Sequence, residues 1–119
     1  MQLRPESLEN YVTMARGKLI KVAEKRQTIT YSELMSEMGG PGRGYIKQVL
    51  SEICQGEDRQ ARPLLGALVV RKDDQFPGNG FWKSPVVLES IGNGSKQQQI
   101  DFWEKQRRKV YEYWGKHKS

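Results

Sequence analysis

The sequence predicts an α+β fold, a winged helix-turn-helix with a β-hairpin wing and an added C-terminal helix. Three observations predict it. The stretch TITYSELMSEMGGPGRGYIKQVLSEICQGEDRQARPLLGALVVRKDDQFPGNGFW, residues 28–82, orders a β-branched piece, a short helix pattern, a glycine-proline turn, a second helix pattern and two apolar runs about a turn. Within it, Ile46, Val49, Leu50 and Ile53 have the i, i+3, i+4, i+7 spacing of a buried helix face. The run LLGALVV ends in β-branched residues and precedes a turn containing Pro77, Gly78 and Gly80, the pattern of a hairpin.

The elements follow in order. Residues 6–26 predict a first helix, with Ser7 as N-cap and Glu9 in the first turn. Leu8, Tyr11, Val12, Ala15, Leu19, Val22 and Ala23 make its apolar face, and Arg16, Lys18, Lys21, Lys25 and Arg26 its charged one. Gly17 weakens this helix by roughly 1 kcal/mol against Ala. Thr28, Ile29 and Thr30 form a short extended piece. A helix over residues 32–38, capped by Thr30 or Ser32, buries Leu34, Met35 and Met38. Gly39, Gly40, Pro41 and Gly42 end it, because glycine supplies a left-handed C-terminus and proline forbids continuation. The next helix runs from about Arg43 to Cys54, and residues 55–62 read as a polar loop. Pro63 opens a buried strand, residues 73–80 form the hairpin tip, and Phe81 and Trp82 begin the return strand. Thus residues 1–83 form a winged-helix-like domain, 84–99 a linker, and 100–119 a C-terminal helix docked on the same domain. Ile100, Trp103, Val110 and Trp114 lie along one side of that last helix, too aromatic for a free tail.

Composition bounds the function. At 119 residues, 36% hydrophobic and 29% charged, the chain suits a single globular core. No apolar run approaches the ~20 residues that span a bilayer, and MQLRPESLEN lacks the apolar region of a secretory signal. The single cysteine, Cys54, cannot form an internal disulfide, so the expected location is cytoplasmic. The net charge of +6 permits an anionic partner. Its distribution is uneven: residues 1–30 carry six basic and three acidic side chains, 31–62 four and five, 63–100 four and three, and 101–119 six and three. The excess sits in the terminal helices and outside the helix-turn-helix pair.

A recognition helix needs polar side chains where its N-terminal end meets base edges. Arg43, Tyr45, Lys47 and Gln48 fit that need, and Gly44 with Gly42 would let the backbone approach a phosphate. Arg71 and Lys72, followed by residues 75–79, would form the wing. The expected partner is therefore double-stranded DNA.

These residues resemble the C-terminal domain of the O6-alkylguanine-DNA alkyltransferases and the alkyltransferase-like proteins. In that family a Thr-x-Tyr-Gly-x-Leu-Ala stretch and a Gly-x-Pro turn precede the recognition helix, and a Pro-Cys-His-Arg-Val-Val stretch follows. The matching positions are Tyr31, Leu34, Gly39 or Gly40, Pro41, Pro63, Val69 and Val70. The reactive Cys and its His partner have no counterpart, since Leu64 and Leu65 follow Pro63. Cys54 does not replace them, because a low-pKa thiolate needs a cationic neighbour or a helix N-terminus. The resemblance implies that Tyr31 would turn a phosphate and that Arg43, beside Gly44, would fill the space of a flipped base, given a single deletion. Recognition of a modified base without alkyl transfer is thus a further reading. The segment RPLLGALVVRKDDQFPGNGFW also resembles small uncharacterised bacterial or phage proteins, which implies a source and no activity.

An alternative from a different class is a protein-interaction adaptor or homodimeric regulator. Its contact surface would use Trp82, Trp103 and Trp114, with Phe102 and Tyr111. No enzyme signature is present: His117 stands alone in a basic tail, no Cys/His cluster can hold zinc, and GGPGRG lacks the Lys-Ser/Thr of a phosphate-binding loop. The expectation is a binding module with no catalysis, cofactor, metal or membrane contact.

Overall fold

The computed structural model describes residues 5–38 and 45–116. Helix α1 (Pro5–Glu24) leads through strand β1 (Ile29–Thr30) to α2 (Tyr31–Met38) and α3 (Ile46–Arg59). A 3-10 helix (Leu65–Leu68) and strand β2 (Val69–Val70) follow, then α4 (Asn79–Trp82), α5 (Pro85–Ile91) and α6 (Lys96–Lys116). The described residues are mostly helical. Their two-residue strands pair in parallel, Ile29 with Val69 and Thr30 with Val70.

The β-hairpin wing is not formed, so the winged α+β expectation is corrected. β2 pairs with the strand before α2, and a parallel partner needs a long crossover, here α2 and α3. Residues 64–70 are buried throughout, four of the seven as a 3-10 turn rather than as strand. Phe81 and Trp82 do not return as a strand. The Phe81 N–H bonds to the Gly78 carbonyl (3.0 Å) and the Trp82 indole N–H donates to the Pro77 carbonyl (2.9 Å), which winds them into the single turn of α4.

Other boundaries shift for local reasons. Pro5 opens α1, where its missing N–H is harmless, so Ser7 lies inside the helix rather than at its cap. Thr30 caps α2 in a reciprocal box: its Oγ1 accepts from the Glu33 N–H (3.2 Å), and Glu33 Oε1 accepts from the Thr30 N–H (3.2 Å). Those Thr30 bonds hold the Glu33 carboxyl below its usual range. α3 runs on through part of the expected polar loop to Arg59. Part of the stretch expected as a linker, 84–99, is helix α5 with Val86 and Val87 buried. Ser95 and Gln98 form a second box that starts α6 ahead of Ile100 (Ser95 N–H to Gln98 Oε1, 2.8 Å).

Two apolar clusters hold these pieces. One gathers Ala15, Leu19, Leu34, Val49, Leu50, Ile53, Leu65, Leu68 and Val110 from α1, α2, α3, the 3-10 helix and α6. The other gathers Cys54, Leu64, Ala67, Phe76, Phe81, Trp82, Val86 and Val87, with Phe102 and Trp103 against it. α3 contributes to both, so its inner edge is fixed and its outer edge is presented.

Candidate nucleic-acid interface

Along α3, Val49, Leu50, Ile53, Cys54 and Glu57 are buried, while Lys47 and Gln48 stand exposed. Ser51, half-buried on the same outer edge, accepts a bond from the Gln55 side-chain amide (3.3 Å). The outer edge faces α4. Lys47, Gln48 and Ser51 line a shallow groove of about 280 Å³ with Gly80, Lys83 and Ser84. Among the described residues no carboxylate lines it, and neither Lys47 nor Lys83 makes an ion pair.

The expected DNA-contacting residues are only partly brought together. Lys47 and Gln48 share the groove, and Tyr45, half-buried, precedes α3. Arg43 and Gly44 lie outside the described residues. Tyr31 opens α2 half-buried, and its hydroxyl accepts the Gly78 N–H (2.8 Å). Burial raises its pKa, against the lowering effect of that bond. A Cβ at Gly78 would lie 3.0 Å from this hydroxyl, so glycine lets the ring and the backbone meet. Arg71 is held in its own loop by a two-point ion pair with Asp74 (3.2 and 2.7 Å), and Lys72 beside it is exposed. Arg71 keeps the Asp74 carboxyl below its usual range.

Of the expected aromatic contact residues Trp82 is buried, and Phe102, Trp103, Tyr111 and Trp114 are half-buried. Trp82 is 7% exposed and stacks on Phe76 at 5.3 Å. Trp103 meets Phe76 edge-on, donates to the Ala67 carbonyl (2.7 Å) and lies under the Arg107 guanidinium (4.4 Å). Trp114 is half-buried, with the Arg16 guanidinium 5.4 Å from its ring, and Tyr111 donates to the Gln27 carbonyl (2.8 Å).

A scan against family models, a search of curated proteins and a search of solved structures each returned no match. The site is therefore weighed on its own chemistry.

Lys83 was not among the expected contact residues. It was hidden because FW at 81–82 reads as the start of a strand, which would send residue 83 away from α3. A second concavity, about 510 Å³ beside Arg62, Gln106 and Tyr113, mixes Arg62 and Lys109 with Asp58 and Glu112. Such a lining has no preference for a polyanion. Among the described residues no group of three His, Cys, Asp or Glu could hold a metal ion. No described helix is long and apolar enough to cross a membrane.

Proposed function

We propose that this chain is a non-catalytic module that binds duplex DNA with the outer edge of α3. The single observation that carries this reading is the pairing of a firmly seated helix with an exposed polar edge, Lys47 and Gln48, beside a groove with no carboxylate among its described lining residues. Lysine offers phosphate a strong point charge, and glutamine can bond adenine at two points in the major groove. The short α2, capped at Thr30, precedes α3 as the first helix of such a pair does. Trp82 is buried, so it offers no aromatic docking face for a protein.

The test is a mobility shift on random duplex at about 50 mM salt, where non-specific binding is strongest. The unaltered protein is expected to shift the duplex, with affinity falling steeply toward about 200 mM salt. Lys47→Ala with Gln48→Ala, both exposed, is expected to weaken the shift about tenfold or more while thermal unfolding stays unchanged. No shift by the unaltered protein at low salt would end the reading.

A further inference from the structure

We propose that the groove between α3 and α4 seats one backbone phosphate of the duplex, held between Lys47 and Lys83. The inference rests on the DNA reading and adds to it a specific anion seat with a second, separately positioned cation. Two lysines from different segments line one concavity, and its other described lining residues are Gln48, Ser51, Gly80 and Ser84. None of these carries negative charge. An anion there would be drawn by both ammonium groups, and Gln48 can add a neutral N–H donor.

Many other basic side chains have structural duties. Arg16 and Arg62 hold Glu57, Lys18 pairs with Glu37, and Arg71 pairs with Asp74. Lys96 lies 3.7 Å from the Phe76 ring centroid. Lys47 and Lys83 have no such duty among the described residues.

The seat is also preformed. Lys83 directly follows Trp82, whose indole is anchored on Pro77, and Ser84 Oγ donates to the Phe81 carbonyl (2.7 Å). The Tyr31 hydroxyl fixes Gly78 at the start of the same turn. On this same α4 wall, Gly80 leaves only backbone facing Lys47; a Cβ there would touch Lys47 Cγ at 3.5 Å and narrow the groove. An open, shallow seat beside an exposed helix edge suits a phosphodiester that continues on both sides. Lys83 thus supplies a backbone contact that the absent hairpin would otherwise have made.

The experiment measures binding of the full chain to a random duplex of about two helical turns across a salt series from about 50 to 200 mM. Each phosphate contact contributes about 0.9 to the slope of log affinity against log salt. Lys83→Gln is expected to reduce that slope by about 0.9, and Lys47→Gln by the same amount. Lys105→Gln, an exposed lysine of α6 outside the groove, is expected to leave the slope as it was. Both groove lysines are exposed, so circular dichroism and thermal unfolding should match the unaltered protein. Binding by the unaltered protein with an unchanged slope in Lys83→Gln would overturn the phosphate seat and leave the DNA reading standing. Absence of binding by the unaltered protein would overturn both.

Discussion

Cys54 sits in α3 with almost no exposed surface, and its sulfur lies 2.8 Å from where a Cβ on Gly66 would be. Burial, above the smaller carboxylate effects of Glu57 and Asp58, pushes its thiol up to about 12. That is the reverse of what a reactive thiolate needs. The surroundings of this sulfur therefore keep it a protonated, buried thiol. The same shift has a consequence for stability. An unfolded thiol ionises near pH 8.5, whereas the folded one keeps its proton to about pH 12. Above the unfolded value the unfolded chain binds fewer protons, so folding free energy falls as pH rises. The contribution is whole below pH 8.5 and is lost toward pH 12. Urea midpoints measured at rising alkaline pH should decline, and Cys54→Ala should decline less steeply. Parallel declines in the two proteins would show that the thiol is not shielded. Tyr31 and Tyr111, whose pKa values are also raised by burial, account for the decline that Cys54→Ala retains.

The helix ends show which elements could be read from residues and which could not. α1 and α3 close in the same way. Arg26 and Ala61 take left-handed backbone (φ 54° and 55°), and the next amide bonds back five residues, Gln27 to Val22 (3.1 Å) and Arg62 to Glu57 (2.9 Å). Glycine is the usual residue at that position, and neither end carries one. The sequence accordingly predicts an end to α3 at about Cys54, and the helix runs on to Arg59. Glu57 misled in the same direction, since a carboxylate inside an apolar stripe reads as loop until its two arginines are seen. By contrast, the α3 stripe itself was legible from Ile46, Val49, Leu50 and Ile53, because helical spacing of aliphatics has few other uses. The capping boxes at Thr30 and Ser95 were legible in principle, each a hydroxyl followed three residues later by Glu or Gln. The run LLGALVV was not. Seven buried residues fit strand and 3-10 helix alike, and the parallel partner lies across two helices. Of the candidate site, Lys47 and Gln48 followed from the stripe, whereas Lys83 depended on the missed turn at α4. The closing geometry gives a direct prediction. Ala61 is exposed and strained in a conformation that glycine adopts freely, at a cost to other residues of about 1–2 kcal/mol. Ala61→Gly should raise unfolding free energy by about 0.5–1 kcal/mol, the strain relief less the entropy glycine adds to the unfolded chain. A fall in the urea midpoint would mean that the left-handed turn is absent in solution.

At the scale of the molecule, the ion triad centred on Glu57 ties the terminal helices to the proposed contacting helix. Glu57 is 1% exposed, and Arg16 of α1 and Arg62 beyond α3 each place Nε 2.6 Å from one of its oxygens. The carboxylate holds the Arg62 guanidinium above its ordinary pKa. Arg16 also lies over Trp114 of α6, so one buried charge connects α1, α3 and α6. The arrangement draws two cations of the basic chain away from solvent and leaves the outer edge of α3 free of that duty. Its energetics are asymmetric. A buried carboxylate deprived of partners costs about 3–5 kcal/mol, whereas replacing a whole buried ion cluster by apolar groups of similar size is often neutral or stabilising. Arg16→Met with Arg62→Met should therefore lower unfolding free energy by about 3–5 kcal/mol at neutral pH. Adding Glu57→Leu to that pair should recover much of the loss, although it subtracts a third charged group. Chemical denaturation of the three proteins decides the matter. If the triple variant is weaker than the double, Glu57 contributes something beyond its charge pairing. If the double variant loses under about 1 kcal/mol, the pairing behaves as a hydrated surface contact and not as the buried tie drawn here.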